Sequence, residues 1–374
     1  MIWLLSALAV AAGAYQILVL LAAVRFVRRR PAQAGPLPPV SILKPVHGLD
    51  PHFYEAIRSH ALQDYPAFEI LFGTGDPDDP AAPEIRRLAA EFPDLPIRFI
   101  TASQPAANQK VGVLAELAAN ARHPVLVVND SDIAVPPDYV RLVVAPLQDP
   151  RVGMVTCLYR GEARGLAARL ECLAIATEFA PGVLAAPLVG VSEFALGSTM
   201  AFRAADLQRI GGFRSIADYL ADDYQLSRRI HELGLKVVIS RPVVTTFLPE
   251  RGWREAWRHQ VRWARTIRVC RGGGYLGMPV TVATLWAVLL ACAGRLWEAA
   301  ALLVLRLAAA IAVAGGVLGV RLRLSDLLLI PLRDLWGLAV WVAGLGGRTV
   351  HWRGRRLQIS RDGRICGADG CPPR

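Results

Sequence analysis

Long apolar stretches lie near both ends of the chain, and a segment of alternating polarity separates them. Residues 1–24 carry no charge, and roughly 20 apolar residues suffice for a helix to cross a bilayer. Arginines follow this stretch, at positions 25 and 28–30, instead of preceding it. Because a cleaved signal peptide has its positive charges first, we predict a retained transmembrane anchor over residues 1–27, with its C-terminal side in the cytoplasm. A Pro-rich linker follows over residues 28–39.

Apolarity returns after residue 276, and the sequence has no uncharged stretch of spanning length between the anchor and that point. Residues 277–294 and 297–320 predict a membrane hairpin of two helices. Arg306 lies within the second helix. Because a charge that faces lipid is costly, its side chain should face protein or an aqueous groove.

The next apolar segment, residues 326–347, is interrupted near its centre by an Arg-Asp pair at 333–334. A third span would place the basic tail, residues 348–374, outside the cell, against the positive-inside rule. We therefore favour a re-entrant segment, or an interfacial helix anchored by Trp336 and Trp341, over a third spanning helix.

Residues 40–270 alternate apolar strands with helices. The strands are predicted at residues 40–46, 68–76, 97–101 and 125–130, and the helices between them at 51–62, 83–92 and 108–121. Strands that are apolar on both faces and alternate with helices indicate an α/β fold with a doubly wound, mostly parallel sheet. Ligands of such sheets bind at the carboxyl ends of the strands. We expect this segment to form one cytoplasmic domain.

Composition supports a membrane protein. The chain has 374 residues, 53% of them hydrophobic, and a net charge of +11, which is more apolar than soluble domains usually are. Much of the positive charge flanks the apolar segments, as in the cytoplasmic loops of membrane proteins. The predicted partner is therefore a lipid bilayer and not a nucleic acid.

The first candidate for chemistry is VVNDSDIAV, residues 127–135, in which Asp130 and Asp132 follow a buried strand. Such a pair can simply cap a turn. A calcium loop is excluded because residues 133–135 supply no side-chain oxygen ligand. An aspartyl phosphatase with Asp130 as nucleophile stays open. So does a sugar-nucleotide site in which one carboxylate addresses the nucleotide and the other holds a divalent cation on the diphosphate.

The second candidate is the pair Asp222 and Asp223 at the start of a helical run. Acidic residues stabilise helix N-termini, and this alone explains the pair. Alternatively, one of them is a general base, as displacement at an anomeric carbon requires. Gly211 and Gly212 precede the pair, and glycines let the backbone approach a ligand closely.

The third candidate is WRHQVRWART, residues 257–266, where arginines mix with Trp257 and Trp263 just before the membrane hairpin. An amphipathic helix at the membrane surface explains this pattern. A fixed guanidinium from Arg262 would also help a diphosphate to leave. One helix can serve both purposes.

The chain resembles processive-type family 2 glycosyltransferases and the related ceramide glucosyltransferases in its motifs SILKPVHGLDP, GDPDDPA, NQK, NDSDI, LADDYQLS and HQVRW. The resemblance covers nearly the whole chain. It implies a GT-A-like fold between membrane segments, and the residues that match the family's motifs are Asp76, Asp130, Arg262 and Trp263 for the donor and Asp223 as the base. The sequence itself adds Lys110 as a further donor contact, Asp132 as the metal ligand, and Asp222, His259 and Gly212 as residues of the acceptor site or a loop. The box HQVRW departs from the family pattern, because His259 stands where a Gln or Arg is usual.

The resemblance also implies an activity. It predicts an inverting membrane glycosyltransferase that uses a UDP-sugar and a divalent cation, Mg²⁺ or Mn²⁺, and acts on a membrane lipid. The C-terminal segment most resembles bacterial hopanoid-biosynthesis members, which implies transfer of N-acetylglucosamine from UDP-GlcNAc to bacteriohopanetetrol. Ceramide or diacylglycerol glucosylation from UDP-glucose is the alternative. The predicted location is the bacterial inner membrane, with several spans and the catalytic domain facing the cytoplasm.

Two competing functions stay open at this point. A lipid phosphatase would use Asp130 as its nucleophile and would release phosphate without a sugar nucleotide. A membrane-tethered scaffold, whose carboxylates are only caps, would show no metal-dependent binding of UDP.

Overall fold

The computed structural model describes residues 2–29, 35, 37–103, 106–352 and 355–366. The strands are β1 (Val40–Pro45), β2 (Phe68–Thr74), β3 (Ile97–Thr101), β4 (Val125–Val128), β5 (Ile133–Ala134), β6 (Val152–Ala163), β7 (Met200–Arg203), β8 (Lys236–Leu248), β9 (Thr349–Trp352), β10 (Arg355–Ile359) and β11 (Ile365–Cys366). The α-helices are α1 (Ile2–Arg28), α2 (Phe53–Ala61), α3 (Ala82–Glu91), α4 (Gln109–Asn120), α5 (Tyr139–Val144), α6 (Leu166–Ala174), α7 (Ala180–Ala185), α8 (Ala204–Arg209), α9 (Asp222–Glu232), α10 (Trp253–Arg271), α11 (Gly273–Leu276), α12 (Ala283–Cys292), α13 (Leu296–Ile311) and α14 (Leu324–Leu345). Short 3₁₀ segments are Ala145–Gln148, Ala186–Val189, Phe213–Ile216 and Met278–Thr281, and π-helical segments are Ile175–Phe179 and Ala312–Val317.

The chain forms two compact units. The sheet unit consists of Arg30–Glu162, Ser192–Pro249 and Gln358–Arg374, and the helical unit of Met1–Arg29, Ala163–Val191 and Glu250–Leu357. The division differs from the contiguous domain predicted over residues 40–270. Residues 163–191 and 250–270 belong with the terminal helices, because their apolar surfaces pack there.

The sheet unit is built on eight strands in the order β3-β2-β1-β4-β7-β6-β8-β5. Strands β1 to β4 are parallel, with Val40 opposite both Phe68 and Val125. From β7 onward the recorded pairings of the sheet are antiparallel, and Val128 lies opposite Met200. All six residues of β1 and all four of β4 are buried, as expected for strands covered by helices on both faces.

Alternate residues of the central strands point to opposite faces and support two separate cores. On one face Ile42 packs with Ile57 of α2 and Ile85 of α3. On the other, Leu43 packs with Leu114 of α4. The predicted doubly wound, mostly parallel sheet is therefore confirmed, and it brings the carboxyl ends of β1, β2 and β4 to one edge.

Among the described residues of the helical unit, four helical stretches are long and apolar enough to cross a membrane: Ile2–Arg28, Leu166–Val189, Leu296–Val317 and Leu324–Leu345. The shorter apolar helix α12 packs with α1 and α13 through small residues, among them Ala12 and Ala287. Leu166–Val189 was absent from the prediction, because Glu171 and Glu178 interrupt its apolar sequence. The fold tolerates both carboxylates because Arg251 and Arg333 pair with them.

Arg306 faces protein, as predicted, and lies in a buried ion pair with Asp334. Helix α14 is continuous with Pro331 inside it, so the turn that a re-entrant segment requires is not present between Leu324 and Leu345. The expected interfacial anchors are also engaged with protein. The indole of Trp336 donates to Gln260 and that of Trp341 to the Tyr275 carbonyl.

Candidate active site

The first part of the candidate site is the turn that follows β4 at the edge of the sheet. Asn129 begins this turn and is fully buried. Its side-chain amide donates to the Tyr139 hydroxyl at 2.8 Å and to the Ser198 carbonyl at 2.7 Å. These bonds tie the turn that carries Asp130 to the loop that carries Gly197, so two distant parts of the sequence meet at one place.

Lys110, in the first turn of α4, joins two of the predicted carboxylates. Its Nζ atom lies 2.8 Å from Oδ1 of Asp130 and 3.0 Å from Oδ2 of Asp222. Burial alone would lower the pKa of Lys110, but the charges of Asp130 and Asp222 outweigh burial and raise it. The ammonium therefore stays charged and fixes the end of β4 against the start of α9.

Asp223, the predicted base, lies next to this ion pair. Its Oδ2 atom accepts the Gly197 N–H at 3.1 Å and its Oδ1 atom accepts that of Tyr224 at 2.7 Å. Burial and the neighbouring Asp222 raise the pKa of Asp223 to about 6, although Lys110 opposes the shift. A carboxylate of this kind exchanges its proton near neutral pH, which suits a general base.

Gly197 lines the space between these groups. A Cβ atom at this position would lie 3.4 Å from Oδ2 of Asp130, 3.5 Å from Oδ2 of Asp223 and 3.7 Å from Nζ of Lys110. The three functional groups thus surround a cradle that a single methyl group would enter. The sequence analysis did not identify Gly197 as a site residue.

Asp132, the predicted metal ligand, shares the turn with Asp130. Its Oδ2 atom accepts a hydrogen bond of 2.5 Å from Thr246. Burial and the like charge of Asp130 raise the pKa of Asp132 to about 6, and Asp50 adds to the shift. A carboxylate whose ionisation is opposed by a neighbouring like charge fits a divalent cation, which would remove the repulsion.

The donor set restricts what kind of cation site this can be. Within the described residues, no group of three His, Cys, Asp or Glu side chains is placed to hold a metal. Asp132, with Asp130 beside it, would therefore hold a cation whose remaining ligands are water and phosphate oxygens. Mg²⁺ commonly binds in this way, through one or two carboxylates and the phosphates of its substrate.

Lys44, at the end of β1, is a member of the site that sequence reasoning missed. It has no exposed surface, and its Nζ atom donates to the Asp130 carbonyl at 3.0 Å and lies 3.5 Å from Nε2 of His60. Burial lowers the pKa of Lys44 to about 7, although Asp132 and Asp130 oppose the shift. The available signal was a lysine inside an otherwise apolar buried strand.

Asp76 and its neighbour Asp79 follow β2 at the same edge, but their environments differ. Asp76 is exposed, and its Oδ1 atom accepts the Asp78 N–H at 3.0 Å. Asp79 is buried and accepts the Gly48 N–H at 2.9 Å, so it braces the loop after β1. Gly212, with φ +69°, donates its N–H to the Leu207 carbonyl and so helps to end α8.

The HQVRW box lies on α10 in the helical unit. His259 contacts Trp263, with ring centroids 4.7 Å apart, and its Nδ1 atom lies 2.9 Å from Oε1 of the buried Glu171. Burial lowers the pKa of His259, although Glu171 opposes the shift. The histidine that departs from the family pattern therefore has an acidic partner, on a helix that sequence reasoning did not predict.

Two arginines that follow the box on α10 bind the end of another helix. Arg265 donates to the Gly346 carbonyl at 3.0 Å and Arg268 to that of Gly347 at 2.6 Å. Both therefore satisfy carbonyls just beyond the last turn of α14, which lack partners within the helix. These bonds attach α10 to the C-terminal end of α14.

The chain is similar to several ceramide glucosyltransferases. Ceramide glucosyltransferase 1 of Caenorhabditis elegans is 28% identical over 207 residues, which are 54% of this chain and 44% of that protein. Ceramide glucosyltransferase of Candida albicans is 33% identical over 107 residues, which are 25% of this chain and 20% of that protein. The alignments thus span less than half the length of these relatives.

Among solved structures, the mannosyltransferase PcManGT of Pyrobaculum calidifontis, in complex with GDP-Man and Mn²⁺, matches with a TM-score of 0.57 and 23% identity. The match covers 91% of this chain and 97% of that protein. It confirms the expected GT-A-like fold. A family profile extends over nearly the full length as well, from residue 1 to residue 365. The chain belongs to glycosyl transferase family 21.

Proposed function

We propose that this protein is an inverting membrane glycosyltransferase, which moves a sugar from a UDP-sugar to the hydroxyl of a membrane lipid. The observation that carries the proposal is the convergence of Asp130, Asp223 and Lys110 around Gly197 at the edge of the sheet. Family membership and the ceramide glucosyltransferase relatives support the reaction type.

The donor would bind at the ends of β2 and β4. Asp76 and Asp130 address the nucleotide, and Asp132 holds a divalent cation beside the diphosphate. When bound, the cation neutralises charge on the departing UDP. Lys110 has two carboxylate partners, so its main task is to set the spacing of Asp130 and Asp222, in addition to any contact with the nucleotide.

Asp223 would be the general base. Its carboxylate takes the proton of the lipid hydroxyl while the hydroxyl oxygen forms a bond to the anomeric carbon. The bond from that carbon to the diphosphate oxygen breaks on the opposite side, and UDP leaves with the bonding electrons. A single displacement of this kind inverts the anomeric configuration.

The box on α10 would complete the site. Arg262 places a fixed positive charge on the diphosphate, and Trp263 closes over the donor and acceptor. His259 orients Trp263 through its ring contact, and Glu171 in turn orients His259. Asp222 acts through Lys110, and Gly212 shapes the loop before α9.

We propose bacteriohopanetetrol as the acceptor and UDP-GlcNAc as the donor, on the resemblance of the C-terminal segment to hopanoid-biosynthesis members. Ceramide or diacylglycerol glucosylation from UDP-glucose is the second candidate, and the ceramide glucosyltransferase relatives favour it. The proposed location is the bacterial inner membrane. The sheet unit of the protein would face the cytoplasm, because positive charges follow α1.

One incubation tests donor and acceptor together. Membranes that contain the protein receive labelled UDP-GlcNAc or UDP-glucose, with bacteriohopanetetrol, ceramide or diacylglycerol as acceptor. A labelled glycolipid with inverted anomeric configuration is the expected product, and it should be absent from membranes that contain D223N. Release of free phosphate without a sugar nucleotide would indicate a phosphatase instead. Absence of metal-dependent UDP binding would favour a scaffold.

A further inference from the structure

Two ion pairs lie side by side in the helical unit, and they differ in how completely their hydrogen bonds are satisfied. Asp334 and Arg333 are neighbours on α14. Asp334 pairs with Arg306 of α13, and Arg333 pairs with Glu178 of the π-helical segment Ile175–Phe179. Ionisable side chains in membrane-spanning segments are costly, and they commonly mark functional sites.

The pair of Arg306 and Asp334 is joined by several hydrogen bonds. Arg306 donates to both carboxylate oxygens, at 3.0 and 2.7 Å, and the Thr284 hydroxyl donates to the same group at 2.6 Å. The side chains of both partners are nearly fully buried. This pair joins α13 to α14, and neither side chain is among those with a buried polar atom that lacks a partner within the described residues.

The pair of Arg333 and Glu178 is unsaturated. Nη2 of Arg333 lies 3.2 Å from Oε2 of Glu178. The Arg333 side chain is only 6% exposed, yet its Nε and Nη1 atoms have no hydrogen-bond partner among the residues that the structure describes. Glu178 is 42% exposed. Buried donors without partners on α14 thus adjoin an accessible carboxylate on a second apolar helix.

Gly337 lets these two side chains lie directly against the backbone of α14. A Cβ atom on Gly337 would lie 3.0 Å from Nη1 of Arg333 and 3.1 Å from both carboxylate oxygens of Glu178. Glu178 lies in a π-helical turn, a feature that is frequent at functional sites. Tyr15 of α1 is close enough to Glu178 to interact with it electrostatically. The polar groups near Gly337 therefore include donors as well as acceptors.

We infer that Arg333 and Glu178 form a binding site for the head group of an uncharged, hydroxyl-bearing lipid. A hydroxyl group accepts from the free N–H groups of Arg333 and donates to the carboxylate of Glu178, so it satisfies both partners. An anionic phospholipid would meet the repulsion of Glu178. The inference rests on the proposed function for its role, since such a lipid would be the sugar acceptor.

The test measures lipid binding separately from sugar transfer. Full-length protein in detergent micelles is titrated with octanoyl-ceramide, dioctanoylglycerol or dioctanoyl phosphatidic acid, and bound lipid is counted by native mass spectrometry. R333K keeps the charge and the ion pair but loses the Nε and Nη1 donors. We expect at least about a tenfold weaker affinity for the neutral lipids, as for the loss of one hydrogen bond to a charged group.

Two further variants make the result independent of folding. E178Q/R333Q removes both charges together, so that no buried charge is left unpaired if R333K is unstable. R295K alters the exposed pair of Arg295 and Glu298 on α13 and should bind lipid like the wild type. Equal affinity of R333K, of the double variant and of the wild type would overturn the inference. Preferred binding of phosphatidic acid would also overturn it.

Acceptor kinetics separate the two proposals. If the wild type transfers sugar and the KM of R333K for the lipid is unchanged, the inference fails while the proposed function stands. If no sugar transfer occurs with any donor but R333K still weakens lipid binding, the proposed function fails while the inference stands.

Discussion

The Nζ atom of Lys44 donates a hydrogen bond of 3.0 Å to the main-chain carbonyl of Asp130. Lys44 therefore links strand β1 to the turn after β4, and its side chain has no exposed surface. The carboxylates of Asp130, Asp132 and Asp50 lie around this ammonium and interact with it. The geometry of the turn depends on the lysine as well as on the aspartates.

Replacing Lys44 by Met should keep the volume of the side chain but leave the Asp130 carbonyl without its donor. We expect a loss of about 1 to 3 kcal/mol in the free energy of unfolding, the usual cost of an unsatisfied buried polar group. Chemical denaturation measures this loss of stability, and UDP titration measures whether the affinity for UDP changes with it. K236M is the matched control, because Lys236 is exposed at the start of β8. Wild-type stability of K44M would contradict the assigned role.

Replacing Asp223 by Asn should remove the base and keep the shape of the side chain. We expect the rate of transfer to fall by about 10² to 10⁴-fold, the usual contribution of general base catalysis. Affinity for UDP should stay nearly unchanged, as isothermal titration can show. D218N, at an exposed position shortly before the site, should behave like the wild type. Near-normal turnover by D223N would refute the assignment.

The pH dependence of transfer should report the same carboxylate. Because the pKa of Asp223 is raised to about 6 and a base must be ionised, kcat/KM should fall as the pH drops through that value. Asp132 has a pKa of about 6 as well, but bound cation stabilises its charged form. Saturating Mn²⁺ should therefore shift to lower pH only the part of the kcat/KM profile that reports the ionisation of Asp132. A profile without an inflection near this pH would contradict the base assignment.

Replacing Gly197 by Ala should fill the cradle without unfolding the protein. The new Cβ atom would lie between 3.4 and 3.7 Å from the functional atoms of Asp130, Asp223 and Lys110, and no left-handed backbone angle is recorded at this position. Transfer should fall by about tenfold or more, while the melting temperature stays near that of the wild type. G273A, where open space surrounds the added methyl group, is the control.

Replacing Asp334 by Asn should leave Arg306 as an uncompensated buried charge. Such a change typically costs about 3 to 5 kcal/mol, so the melting temperature in detergent should fall sharply. The double variant R306M/D334L removes both charges and should recover most of the loss. If D334N melts like the wild type, the pair does not hold the helices together.

Much of the fold follows from sequence periodicity. The buried strands β1 and β4 are apolar on both faces, and the anchor is uncharged, so local pattern alone identifies them. The helix Leu166–Val189 could not be found in this way. Its charges at Glu171 and Glu178 are compensated by residues far along the chain, and a search for uncharged stretches does not register such compensation.

The residues of the candidate site likewise include some that the sequence identifies and some that it does not. Asp130 and Asp223 stand out in sequence because they lie at element boundaries with known chemistry. Lys44 and Gly197 do not stand out, since one resembles any strand residue and the other any loop residue. Their roles arise only where β1, β4 and the loop before β7 meet in space.

The bonds from Arg265 and Arg268 to the end of α14 have a consequence for the box on α10. Successive residues of a helix are about 100° apart around its axis, so these arginines fix the direction in which Arg262 and Trp263 point. A single residue inserted between positions 263 and 265 would leave every side chain of the box intact. It would nevertheless turn the box about a quarter of the way around the helix, away from its original direction. The number of residues between the box and the two arginines therefore matters to the proposed role of the box as much as their identities do.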